Sequence, residues 1–369
     1  MKKPDKRLTA GPGLILPIVR GLLAVPSGNE DDPWLRVVLT RSASPSHGGP
    51  RIPGLQDGGS FEELRASIKA GLDTHLSGRT RHIAIEGLGS LQVDRLPIRS
   101  NSPLENKVAL VTGAAGAIGA GICKLLLKKG CRVVATDVVA DKLMDLVTEL
   151  LVLAPGRVTG IPMDVTDKTS VEDGFAQAAC AWGGVDIVVV NAGIAMVAPL
   201  MDMDLAAFKH LEQVNVDGTL LTLAAAGRCM VRQGTGGDIV LVSTKNVFAP
   251  GAQFGAYSST KAASHQLARI ASLEFAPFGI RVNMVAPDAV FSEGDRKSGL
   301  WAEVGPSRMK ARGLDAKGLE EYYRSRNLLK ARVTATHVAN AVLFFVTRQT
   351  PTTGATIPVD GGLPDATPR

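Results

Sequence analysis

The chain is poor in aromatic side chains, with Trp, Tyr and Phe together only 4% of its 369 residues. Nucleic-acid-binding surfaces usually interleave aromatics with basic residues on one folded face, so this scarcity argues against a nucleic-acid partner despite a formal charge of +6. The excess charge is also unevenly placed. Residues 1–100 carry 14 Lys and Arg against 10 Asp and Glu, whereas the remainder carries 27 against 25.

Cysteine is scarce too. Cys123, Cys131, Cys180 and Cys229 form no CxxC pair, which excludes a disulfide framework and a zinc ribbon; they read as small core residues in a reducing, cytoplasmic compartment. Histidine is limited to six residues, and His47, His75 and His82 lack the paired HxH spacing of a metal site, so no metal is expected. Long apolar runs are missing. The segment LILPIVRGLLAV (14–25) is broken by Pro17 and Arg20, and an Arg at the centre of a span costs about 2.5–3.5 kcal/mol on insertion. Neither a secretory leader nor a membrane span is expected.

Apolar residues nevertheless make up 45% of the chain, enough for a sizeable core. Glycine and proline concentrate at the front, with 13 of 40 Gly and 9 of 21 Pro in the first hundred residues. Two parts are therefore expected: an irregular α+β region at 1–104, and a regular domain at 105–369. In the first part VVLT (37–40), HIAIEGLG (82–89) and a helix at 61–76 are the only regular signals, and LPIRSNSPLENK (96–107) reads as a linker.

In the second part, β-branched runs at 108–112, 132–137, 185–190, 238–243 and 280–286 alternate with helix-length segments at 117–129, 140–151, 168–182 and 257–277. Continuous apolar strands are buried on both faces. Alternation with helices implies right-handed crossovers, so the expected fold is a Rossmann-type doubly wound parallel α/β sheet with helices on both faces.

The first of these strands runs into Thr112-Gly-Ala-Ala-Gly-Ala-Ile-Gly119 and then a helix. Glycines let backbone N–H groups and the helix N-terminus approach a pyrophosphate. Gly113, Gly116, Ile118 and Gly119 are thus candidate cofactor contacts. Asp137 ends the next strand, where a carboxylate accepts ribose hydroxyls and repels a 2′-phosphate, which favours NAD over NADP.

These stretches, with MDVTD (163–167), NAG (191–193), VNVDG (214–218), YSSTK (257–261), IRVNMVAP (280–287) and TTGATIPVDGG (352–362), resemble the short-chain dehydrogenase/reductase family in order and spacing. The resemblance covers about residues 105–363 and implies NAD(P)-dependent oxidoreductase chemistry. It assigns Tyr257 as the proton-transferring residue, Lys261 as its cationic neighbour and nicotinamide-ribose ligand, Asn215 to a proton relay, and Thr244 to the carbonyl-polarising position where the family usually has Ser. It also places Asp164 and Val165 at the adenine, Asn191, Ala192 and Gly193 at the adenine ribose, and Pro287 in the cofactor site. Physical chemistry agrees, because Tyr257 and Lys261 at i and i+4 share a helical face and a cation favours the phenolate. Ser243 remains an alternative to Thr244, although alternation along a strand points it the other way.

Pro287-Asp288 replaces the family's usual Pro-Gly. Together with STKNVFAPG (243–251), it is similar to the dehydrogenase half of bifunctional rhamnulose-1-phosphate aldolase/short-chain dehydrogenases, with a shortened N-terminal region. That branch implies a polyol, sugar or sugar phosphate substrate beneath a loop at 288–318. Lys245, Arg296, Lys297, Arg308, Lys310 and Arg312 are candidates for a phosphate clamp, or else solvated loop charge. A homodimer or homotetramer is expected from the family. The alternatives are a noncatalytic NAD-binding or interaction protein and a 3-oxoacyl reductase-like enzyme.

Overall fold

The computed structural model describes residues 11–42, 51–52, 60–73, 81–86, 88–96, 101–292, 301 and 304–364. Its N-terminal part comprises α1 (Pro12–Leu22), β1 (Val25–Pro26), β2 (Trp34–Leu35), β3 (Val38–Arg41), β4 (Arg51–Ile52), α2 (Phe61–Asp73), β5 (His82–Ile85) and β6 (Gly89–Asp94). Strands β1 and β2 pair as a ribbon, and the others form a small sheet in the order β3-β6-β5-β4. Only β4 and β5 run parallel within it.

The second part begins with β7 (Val108–Val111), α3 (Ala117–Lys128), β8 (Arg132–Asp137), α4 (Ala140–Leu153), β9 (Val158–Pro162), α5 (Lys168–Trp182) and β10 (Ile187–Val190). It continues through α6 (Leu205–Glu212), α7 (Gly218–Gln233), β11 (Gly237–Val242), α8 (Gly255–Phe275) and β12 (Ile280–Pro287). The chain then forms α9 (Gly305–Arg312), α10 (Ala316–Arg326), α11 (Ala335–Val346) and β13 (Thr356–Val359). Seven strands pair in parallel in the order β13-β12-β11-β10-β7-β8-β9. Both faces are covered, with α3, α4 and α11 on one side and α5, α7 and α8 on the other. This is the doubly wound sheet expected from the alternating pattern. The order reverses between β7 and β10, and such a switch point opens a crevice beyond the strands' C-terminal ends.

Helix α1 was not expected. Pro12 sits in its first turn, where a missing N–H is harmless, but Pro17 removes an internal hydrogen bond. Packing overrides that loss: Leu14, Ile15, Leu16, Ile18 and Val19 are buried, and α1 lies against α5, α7, α2 and β3. Gly21 permits this approach, since a methyl there would overlap the Gln233 carbonyl at the end of α7.

Arg20, which interrupts the apolar run, is 1% exposed. It forks onto both carboxylate oxygens of Asp186, at 2.8 and 2.7 Å, and donates to the carbonyls of Val37 and Asn106. Arg36 reaches Asp186 at 3.1 Å and Asp32 at 2.7 Å. Lys107 and Arg348 also pair with Asp32, and Arg348 bridges on to Asp238.

Nor is the stretch before β7 a plain linker. Leu104 to Lys107 are buried, and the Asn106 amide bonds both the N–H and the carbonyl of Leu96. Leu104 has no alternating pattern around it, so its burial follows from the neighbouring α3 and β8, not from local sequence.

Candidate active site

The glycine-rich turn joins β7 to α3 at the switch point. Gly113 has φ +60°, a left-handed conformation that glycine adopts without a Cβ penalty, and a methyl there would lie 2.8 Å from the Ala192 backbone. At Gly119 a methyl would meet the Ala114 backbone at 2.7 Å, so the helix can seat this closely only without a side chain. Gly116 caps α3 with no side-chain acceptor, which leaves the first-turn N–H groups available to an anion.

The Asn191 amide donates to the carbonyls of Thr112 and Gly113, both at 2.9 Å, and the Thr112 hydroxyl accepts the N–H groups of Asn191 and Ala192. The turns after β7 and β10 are thereby locked together. Asp137, at the end of β8, accepts the N–H groups of Ala115 (3.0 Å) and Val139 (3.1 Å) through its two oxygens. Asp164 instead turns onto its own loop, accepting the N–H and hydroxyl of Thr166.

Across the crevice, α8 presents Tyr257 and Lys261. The Lys261 ammonium donates to the Val242 carbonyl at 2.7 Å, and burial lowers its pKa to about 8. Burial raises the Tyr257 phenol, and a hydrogen bond with the Thr244 hydroxyl works against that rise. Desolvation dominates at the phenol, and the bond to Val242 uses one of the three N–H donors of the Lys261 ammonium.

Thr244 also accepts the Asn246 N–H. Ser243 is committed elsewhere: its hydroxyl pairs with His265 Nδ1 at 2.9 Å. Asn215 lies behind the crevice, in a π-turn at Gln213–Asp217. Its amide clamps both the N–H and the carbonyl of Ile194 and reaches the Thr260 hydroxyl, all at 3.0 Å. Its backbone carbonyl accepts from Thr219 and Ser264. Asn215 is thus built into the site's support.

One cavity of about 550 Å3 joins these parts. Gly113, Gly116, Ile118 and Gly119 line it at one end, with Asp137, Asp164 and Val165 beside them. Asn191, Ala192 and Gly193 form its middle, and Thr244, Tyr257, Lys261 and Pro287 the far wall. Asn215 does not line it. Helices α9 and α10 cover the far end through a small core of Ala289, Phe291, Leu319 and Tyr323, with Trp301 packed against it.

Residues 107–302 match the short chain dehydrogenase family. The chain belongs to that family. It is 37% identical over 265 residues to the uncharacterized oxidoreductase YuxG of Bacillus subtilis (strain 168), a match covering 71% of this chain but only 38% of that longer relative. A sorbitol dehydrogenase of Cereibacter sphaeroides is 32% identical over 200 residues, or 54% of this chain and 76% of the relative. The crystal structure of a short-chain type dehydrogenase/reductase from Mycobacterium marinum superposes with a TM-score of 0.62 at 27% identity, covering 73% of this chain and 99% of that one.

Members of the family are oxidoreductases acting on hydroxyl or carbonyl groups with NAD(P). In this short-chain dehydrogenase the sequence motifs account for the Gly113–Gly119 end of the cavity and miss much of its far end. Of the clamp candidates, Lys245 and Arg308 line the cavity; Lys310 and Arg312 do not, and Arg296 and Lys297 lie outside the described residues. Arg326 was not singled out, yet it lines the cavity and is paired with Asp288 at 2.5 and 2.8 Å. His265 was missed as Ser243's partner. Its position four residues beyond Lys261, on the same face of α8, was the available signal.

Proposed function

We propose that the protein is an NAD-dependent dehydrogenase acting on a secondary alcohol, or the matching carbonyl, of a polyol, sugar or sugar phosphate. The observation that carries this reading is the convergence of Tyr257, Thr244 and Lys261 on one wall of a cavity whose other end is the Gly113–Gly119 turn. The dinucleotide fits there on structural grounds: an uncapped helix N-terminus, glycines where a Cβ would clash, and Asp137 at a strand end.

In this reading Gly113, Gly116, Ile118 and Gly119 hold the pyrophosphate. Asp137 takes the adenosine ribose hydroxyls, and its charge disfavours a 2′-phosphate. Asp164 and Val165 flank the adenine, and Asn191, Ala192 and Gly193 follow its ribose. Lys261, Tyr257 and Pro287 border the nicotinamide end. Bound there, NAD supplies the hydride acceptor at its nicotinamide. Tyr257, as the phenolate, takes the hydroxyl proton as the substrate C–H bond breaks and the C=O bond forms; in the reverse direction the phenol returns it. Thr244 orients the substrate oxygen by hydrogen bonding. Lys261 provides positive charge that favours the phenolate, and Asn215 fixes the Ile194 backbone in the cavity wall.

The polyol class is supported by the sorbitol-acting relative and by the cationic side chains at the cavity's far end. A homodimer or homotetramer is supported by apolar side chains exposed on α7 and α8, Leu220, Ile270 and Leu273 among them. Cytoplasmic residence is supported by four cysteines, none of them joined in a disulfide among the described residues. Residues 1–104 are read as a region distinct in origin from the dehydrogenase and akin to the part preceding it in the aldolase/dehydrogenase branch; in support, the Bacillus relative extends well beyond the matched stretch.

The test is NADH formation with a panel of polyols, sugars and sugar phosphates. Turnover is expected with NAD in preference to NADP. Tyr257→Phe is expected to abolish it while leaving NAD binding intact by calorimetry. Retained turnover in Tyr257→Phe would refute the mechanism, and a preference for NADP would refute the role of Asp137.

A further inference from the structure

The geometry points to Arg308 as the receptor for an anionic group on the substrate, a phosphate or a carboxylate carried on the chain that bears the reacting alcohol. The inference uses the cavity of the dehydrogenase reading and narrows its substrate from any polyol to a charged one.

Arg308 stands on α9, in the cap over the far end of the cavity, and lines that cavity while only 8% exposed. Its nearest polar partner is the side-chain oxygen of Gln253, at 3.5 Å, and its guanidinium lies over the Phe254 ring at 5.0 Å. Its Nε is buried and makes no hydrogen bond. Among the described residues no carboxylate pairs with it.

A buried guanidinium without an anion is an unfavourable state, because desolvation is uncompensated. The other cations nearby are better satisfied. Arg326 is neutralised by Asp288 and stacked against Tyr323, and Lys245 donates to the Ala249 carbonyl at 3.0 Å. Among the described residues the cavity's far end therefore carries uncompensated positive charge, and Arg308 holds the unsatisfied donor. The guanidinium's fork matches the paired oxygens of a carboxylate or phosphate.

Position supports the same role. Phe254 neighbours both side chains, its ring 6.2 Å from the Tyr257 ring and 5.0 Å from the Arg308 guanidinium. The anion receptor and the proton-transferring side chain thus share an aromatic neighbour in one cavity. That arrangement suits a chain with its secondary alcohol at Tyr257 and its charged end at Arg308.

The experiment compares wild type, Arg308→Met and Arg308→Lys, using substrates of equal chain length: a neutral polyol, its terminal phosphate ester and the corresponding hydroxy acid. Wild type is expected to favour one anionic substrate through a lower KM. Arg308→Met is expected to raise that KM at least tenfold while leaving kcat/KM for the neutral polyol within about twofold, with Arg308→Lys between. The preferred ester or acid identifies the anion. Independently of turnover, inorganic phosphate or acetate should raise the melting temperature of NAD-saturated wild type more than that of Arg308→Met. An unchanged ratio of anionic to neutral kcat/KM in Arg308→Met, or equal stabilisation of both proteins by the anions, overturns the assignment. If no panel member turns over but the anion still distinguishes the two proteins, the dehydrogenase reading fails and the anion site stands. Turnover that ignores charge has the reverse meaning.

Discussion

Replacing Arg20 by Met is expected to destabilise the whole protein, because it strips the main cation from a carboxylate sealed beneath the sheet. Asp186 is 1% exposed. Burial alone would raise its pKa, but the Arg20 and Arg36 guanidiniums outweigh burial and hold it below the ordinary carboxylate range. Removing one partner of a buried pair costs about 3–5 kcal/mol. Asp186 would keep Arg36 at 3.1 Å, Gln233 at 2.8 Å and the Val108 N–H, so the low end, about 3 kcal/mol, is the expected loss at pH 7. In a chain of this size that corresponds to a fall in Tm of about 4 °C.

The pH dependence has a definite sign. A depressed carboxylate contributes stability above its unfolded pKa, near 3.9, and loses it as pH falls through the folded value. The deficit of Arg20→Met relative to wild type should therefore narrow below about pH 4. Urea titrations at pH 7 and at about pH 3 measure it, and a double-mutant cycle with Asp186→Asn should show strong non-additivity. A loss under about 1 kcal/mol at pH 7, with an unchanged m-value, would mean that the N-terminal segment is not part of the cooperative unit.

Thr244→Ala is expected to lower kcat by roughly 100-fold, the usual effect of losing one oxyanion donor. Ser243→Ala should leave kcat within a few-fold, because that hydroxyl is engaged by His265; equal losses in steady-state assays would refute the assignment. Lys261 has its pKa lowered to about 8 by burial, so at neutral pH its charge destabilises the fold, and the penalty disappears as pH rises from about 8 towards 10.5. Lys261→Met should then be more stable than wild type at pH 7 by about 2 kcal/mol, since each tenfold change in an ionisation constant is worth about 1.4 kcal/mol and the lost bond to Val242 offsets part of the gain. Thermal scans at pH 7 and pH 10 read the difference, and a gain that persists at pH 10 would contradict the cause.

The Gly113–Gly119 end of the cavity was legible in the residues because its requirements are local. Gly113 needs a positive φ, Gly119 needs an absent Cβ, and Asp137 need only end its strand; each constraint shows in the order of residues. Tyr257 and Lys261 were legible for the same reason, through one helical turn. The substrate end was not. Arg308 and Arg326 look alike in sequence, and only the fold places Asp288 on Arg326 while, among the described residues, no carboxylate meets Arg308. Thr244 and Ser243 are adjacent hydroxyls, separated in role by which of them α8 meets with His265.

The N-terminal part marks the same division more sharply. Apolar periodicity determined the parallel sheet, since β-branched runs between helical segments have few other ways to bury both faces. Composition determined that residues 1–100 differ from the rest. Tertiary structure decided that Pro12–Leu22 is a helix and that Arg20 is its anchor. A proline-interrupted helix and a buried guanidinium are each unfavourable alone, and only the distant surfaces of α5 and α7 and the Asp186 carboxylate make them stable.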